Sequence, residues 1–123
     1  MVRFYVAGDR ELRRIGKFPT DRLGALRDSI KKWKFIAKYY GLGGRIDDGF
    51  RYETCALCNL YLVGADCGDC PVAKAGHGAC RKTPYEDFAM NRFDENEGGV
   101  SALHEVKFLE GILKKETARR KGK

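Results

Sequence analysis

Hydrophobic and polar positions change period several times along the chain, and each change marks an element. Val2, Phe4 and Val6 alternate with Arg3 and Tyr5, the period of a half-buried strand. Gly8-Asp9 reads as a turn, and Glu11 to Phe18 can return as a second strand that Pro19 ends. This predicts an N-terminal hairpin within residues 1–19, with a short helix over Glu11 to Ile15 as the competing fit. Leu23, Leu26, Ile30, Trp33, Ala37 and Tyr40 then recur at spacings of three and four, which predicts an amphipathic helix over 20–41. Thr20 or Asp21 can cap its start and Gly41 can stop its end. The opposite face carries Arg27, Lys31, Lys34 and Lys38, with Arg22 and Lys32 on its flanks. Trp33 lies on the apolar stripe, so it is expected in the core and not as a base-stacking platform.

Gly41 to Glu53 is loop-like, and Asp47-Asp48-Gly49 suits a turn better than a cation site, since no flanking His accompanies the acids. Gly41-x-Gly43-Gly44 does not follow a strand and is a weak phosphate loop. Leu60 to Val63 can form a short apolar strand or turn. Thr83-Pro84-Tyr85-Glu86 combines a capping Thr, a Pro at the first helical position and a Glu three residues after the Thr, so a helix is expected over 84–92. Tyr85 and Phe88 are expected to pack back on the preceding segment. Asp94 to Gly99 reads as an acidic, Gly-rich connector, and a last helix is expected over 101–118 with Leu103, Val106, Leu109 and Leu113 on one face. His104 falls in its first turn, as a surface residue. Residues 119–123 have no apolar position and read as a basic disordered tail. The expected fold is a small single α+β domain over 1–118, a hairpin plus about three helices packed around a cysteine-rich module at 55–83.

Charge changes this picture by its distribution. Residues 1–45 carry twelve basic and four acidic side chains, residues 46–110 six and twelve, and residues 111–123 six and one, against a net charge of +7 for all 123 residues. Basic ends thus flank an acidic middle. They can form a face for phosphates, or they can pack against the acidic segment and cancel. No apolar run approaches the roughly 20 residues of a membrane-spanning helix, so no membrane partner is expected.

All five cysteines fall between residues 55 and 80, as Cys55-x-x-Cys58, Cys67-x-x-Cys70 and a lone Cys80. The turn inside each pair lets both sulfurs face one side, and two pairs complete the four-thiolate shell of structural zinc. We therefore expect Cys55, Cys58, Cys67 and Cys70 as zinc ligands, with Cys80 and then His77 in reserve. Met1-Val-Arg-Phe leads into a charged segment and not an apolar one, so a reducing, cytoplasmic setting is expected, where clustered thiols seldom form disulfides. Pro71 after Cys70 keeps an iron–sulfur cluster as an alternative, although the four-cysteine run of bacterial ferredoxins is missing.

Taken in order, Lys32-Trp33, Cys55-Ala-Leu-Cys58, Cys67-Gly-Asp-Cys70-Pro71, Cys80 and Thr83-Pro84-Tyr85 resemble a group of small cysteine-rich proteins of bacteriophages and prophages that are taken to bind zinc. The likeness spans about residues 25–115 and leaves out the N-terminal segment and the basic tail. It implies a phage-type metal module acting inside the host cell, and it implies no activity.

Enzyme signatures are missing. A zinc deaminase needs His-x-Glu ahead of its cysteine pair, and none occurs. Neither Cys-x-x-Cys opens a helix inside a strand–helix–strand pattern, as a thiol redox motif would. The sequence points instead to a noncatalytic, zinc-stabilised protein that contacts nucleic acid or a nucleoprotein complex. The anionic partner would meet Arg27, Lys31, Lys34 and Lys38 on the helix and Arg119, Arg120 and Lys121 at the end of the chain. The alternative is a protein-interaction factor that binds and redirects a host protein or defence complex.

Overall fold

The computed structural model describes residues 2–50, 54–56 and 84–121. Its architecture is α+β: an antiparallel hairpin followed by three helices around one core. Strands β1 (Arg3–Val6) and β2 (Leu12–Ile15) pair with Arg3 opposite Ile15 and Val6 opposite Leu12. Residues directly opposite share a face, so Phe4, Val6, Leu12 and Arg14 face the core side while Arg3, Tyr5, Arg13 and Ile15 face outward. The turn closes with Ala7 donating to the Glu11 carbonyl and Arg10 in the left-handed region at φ 62.

Helix α1 (Arg22–Gly41) starts at Asp21, whose carboxylate accepts from the Gly24 amide at 3.0 Å. Its buried side carries Ala25, Leu26, Ile30, Trp33, Ile36 and Tyr40, close to the predicted stripe, with Leu23 and Ala37 partly buried beside it. The buried arc is wider than that stripe because it also takes in Asp28, Ser29 and Lys32. After α1, Leu12 donates to the Asp48 carbonyl at 2.9 Å, so the loop runs alongside β2. Gly49 fits there at φ +80, where an added Cβ would lie 2.2 Å from the Leu12 carbonyl oxygen. The Asp47-Asp48 pair, expected as a turn, is extended instead, because Asp48 bridges to Glu11 beside β2 and only Gly49 bends; Arg45 holds the Asp47 carboxylate at 2.8 Å and Asp48 accepts from the Gly49 amide.

Helix α2 (Pro84–Asn91) places Phe88 fully inside the core, edge-on to Trp33, Tyr40 and Phe50 with ring centres 5.0 to 5.5 Å apart. Helix α3 (Glu95–Lys121) packs against both α1 and α2. It differs from expectation at both ends. The Asp94-to-Gly99 stretch is its first turn and not a connector, because Asp94 caps it by accepting from the amides of Asn96 and Glu97 at 2.9 and 3.0 Å. Gly98 and Gly99 are helical here because Tyr40 of α1 crosses on top of them: an added Cβ at Gly98 would lie 2.5 Å from the Tyr40 ring. At the other end the helix passes Ala118 and continues to Lys121, so Arg119, Arg120 and Lys121 are helical and not a disordered tail. Good helix formers whose positive charge meets the negative end of the helix dipole favour that continuation. The stripe of α3 runs through Ala102, Val106, Leu109 and Ile112, while Leu103, expected on it, is 52% exposed.

Tyr40 knots these pieces together. Its hydroxyl accepts from the Ile46 amide at 3.0 Å and lies 2.6 Å from the Arg92 carbonyl, to which it donates. Burial pushes its pKa above the ordinary tyrosine value.

Candidate nucleic-acid interface

Of the predicted metal ligands, Cys55 is the one inside the described residues. It is partly buried against the core, between Thr54, which donates to the Gly49 carbonyl at 2.6 Å, and fully buried Ala56. Cys58, Cys67, Cys70, Cys80 and His77 lie outside the described residues, as do Leu60 to Val63 and the side chain of Tyr85. Among the described residues no group of three or more His, Cys, Asp or Glu side chains could hold a metal ion. His104 is exposed on α3, as expected of a surface residue.

The predicted anion contacts on α1 do come together. Arg27, Lys31, Lys34 and Lys38 follow one another at spacings of four, three and four, and all four are exposed on the side away from the core. Lys34 faces Glu110 of α3 at 3.5 Å, an exposed pair that screening makes weak. The Lys31 ammonium donates to the Val2 carbonyl at 2.8 Å, which fixes it at the start of β1. Arg27 and Lys38 make no ion pair among the described residues. The flanks differ from expectation. Lys32 is 1% exposed, donates to the Phe50 carbonyl and lies 5.3 Å from the centre of the Trp33 ring, because the loop after α1 folds over it. Arg22 is turned to Glu116 of α3 at 3.3 Å.

The two ways of reading the charge pattern therefore apply to different residues. Arg13 with Asp9 and Glu11, Arg14 with Asp28, Arg22 with Glu116 and Arg45 with Asp47 are matched within the fold. Arg13 donates to the Tyr5 hydroxyl and to the Glu11 carboxylate, and these hydrogen bonds, that to Tyr5 first, push its pKa further up. Among the described residues, the outer side of α1 is one place where positive charge stays in excess.

Beside that side, a groove of about 580 Å³ opens between β1 and α1, lined by residues 2–5, Ile15, Lys31 and Phe35. Among the described residues no carboxylate lines it. Phe4 and Phe35 lie with ring centres 6.3 Å apart, and Phe35 stacks on Tyr39 at 6.0 Å and 17°. Tyr5 and Ile15, which also line it, are 41% and 54% exposed. Arg3, Tyr5 and Phe35 escaped the sequence reading, although one signal was present: Phe35 and Tyr39 stand off the apolar stripe, four residues apart, among Lys31, Lys34 and Lys38. Arg119, Arg120 and Lys121 form the last turn of α3.

Compared with known protein families, with curated proteins and with solved structures, the chain gives no match. No helix among the described residues is long and apolar enough to cross a membrane.

Proposed function

We propose that this chain is a noncatalytic, zinc-stabilised binding protein of the phage type that contacts nucleic acid, alone or in a nucleoprotein complex. The contact surface is the exposed basic side of α1, joined by the basic end of α3. The observation that carries this reading is the set Arg27, Lys31, Lys34 and Lys38 on one exposed side, next to an aromatic groove with no carboxylate among the described residues of its lining. Each cation set against a phosphate displaces condensed counterions, so binding should be tight at low salt and fall steeply as salt is added. Filter binding at low salt tests this, and the absence of any complex with DNA or RNA there would remove the reading.

The proposed metal ligands are Cys55, Cys58, Cys67 and Cys70, with Cys80 and His77 in reserve. Paired, soft thiolates suit zinc. What zinc supplies when bound is folding free energy, since ligand binding by the native chain alone stabilises that state. Cys55 supports the reading from its position: its sequence neighbours are buried in the core, so an ion held there would be tied to the rest of the fold.

A second reading, a protein-interaction factor, has an observation of its own. Met90, Phe93, Val100 and Leu103 are exposed large apolar side chains around the junction of α2 and α3. Capture of one stoichiometric protein partner that survives nuclease treatment, and is lost in Leu103→Lys, would favour it.

A further inference from the structure

We infer that the groove between β1 and α1 seats a single-stranded stretch of nucleic acid, with base faces on its aromatic wall and phosphates on Arg3 and Lys31. The inference rests on the nucleic-acid reading of α1 and adds which form of nucleic acid is preferred.

Three features select this occupant. The first is charge. Arg3 and Lys31 stand in a groove with no acidic side chain among the described residues of its lining, and Arg27 and Lys38 extend the positive run along about 16 Å of helix. The second is the wall. Phe4 and Phe35 line it with ring centres 6.3 Å apart, and Tyr5, 41% exposed beside Arg13, lines it from the outward face of β1. Flat rings beside cations are what a base–phosphate chain recognises, and stacking on them is available to every base. A duplex keeps its base faces stacked inside and offers only phosphates and groove edges, so it can use the cations and not the rings. The third is preorganisation. Lys31 spends one of its three donors on the Val2 carbonyl, and this holds the ammonium at the groove while two donors remain for phosphate oxygens. A polyglutamate chain would meet the same cations, but it brings no flat faces for the rings of Phe4, Phe35 and Tyr5.

The test measures fluorescence anisotropy of the full chain with a labelled twelve-nucleotide oligothymidylate, with a duplex of equal length and with a labelled polyglutamate of similar charge. Tyr5→Ser and Phe35→Leu remove flat rings; the first is at an exposed position and the second keeps apolar contact with Phe4, so both should fold, as unchanged circular dichroism would verify. Each should weaken oligothymidylate binding by roughly tenfold, in the range found for stacked bases, while duplex affinity stays within about twofold. Lys31→Gln with Lys38→Gln should weaken both nucleic acids. If the ring variants bind oligothymidylate like the parent while the charge variant weakens both probes, the groove inference fails and the α1 reading stands. If neither probe binds at low salt, both fail. Polyglutamate binding that equals the oligothymidylate and shows the same ring dependence would overturn the choice of occupant.

Discussion

Arg14 has a charged side chain that is 2% exposed, which a guanidinium tolerates only where its donors are met. Asp28, itself 3% exposed, takes two of them at 2.5 and 3.1 Å, the carbonyls of Gly16 and Lys17 take others, and the Phe18 ring covers the group at 4.0 Å. This clamp fastens the hairpin to α1. Asp28→Ala leaves the guanidinium buried beside nothing of opposite charge and should lower unfolding free energy by about 3 kcal/mol or more, read from urea denaturation. A loss under about 1 kcal/mol would mean that water reaches Arg14 freely. Tyr40 gives a pH dependence. Its raised pKa means that the folded state holds the phenol proton where the unfolded chain has begun to release it. The folded chain then binds more protons, so this contribution is complete below the ordinary tyrosine value of about 10 and is lost as pH rises through the folded value. Urea midpoints between pH 9 and 11 should therefore fall more steeply for the parent than for Tyr40→Phe; parallel slopes would contradict the role given to burial.

Among the elements, the hairpin and α1 were legible because their periods of two and of three-to-four survive in the fold nearly unchanged. The start of α3 was not. Asp-Glu-Asn-Glu-Gly-Gly has the composition of a linker, and only the approach of Tyr40, more than fifty residues earlier in the chain, explains why glycine belongs inside a helix there. Taking α3 to begin at Ser101 also put its stripe through Leu103, whereas the buried line passes one residue earlier, through Ala102. Two glycines of α3 separate propensity from packing. Gly111 is exposed with nothing within 4 Å of an added Cβ, so Gly111→Ala should stabilise by up to about 1 kcal/mol. Gly98→Ala should destabilise despite the same gain in propensity, because the methyl would meet the Tyr40 ring and the Asn91 carbonyl. Thermal melts of the two variants moving in the same direction would contradict this account of the α1–α3 contact.

For the whole molecule, the charge pattern resolves once partners are assigned. Arg13, Arg14, Arg22 and Arg45 are matched by carboxylates inside the fold, and the lysine-rich side of α1 keeps its excess. The sequence pattern contained that side of the helix, but the burial of Lys32 and the groove were not legible. Both depend on distant segments meeting: the loop at Phe50 closes over the first, and residues 2–5 meet residues 31–35 to make the second. The cysteine spacing was legible from the sequence at once, and four of the five cysteines lie outside the described residues, so their role is a matter for chemistry. Elemental analysis of protein purified without chelator or added metal should give about one zinc per chain, and chelation should lower the melting temperature. Iron with labile sulfide, or thiols oxidised in pairs without metal, would replace the zinc proposal. The central claim, that the exposed side of α1 meets phosphates, is tested most directly by the salt dependence of nucleic-acid binding in the parent and in a variant with Arg27, Lys31, Lys34 and Lys38 all changed to Gln. The slope of log affinity against log salt should become shallower by about 3 to 4 in the variant, as each of the four lost phosphate contacts removes roughly 0.7 to 0.9. A parent and variant with equal slopes would show that this side of the helix does not touch nucleic acid.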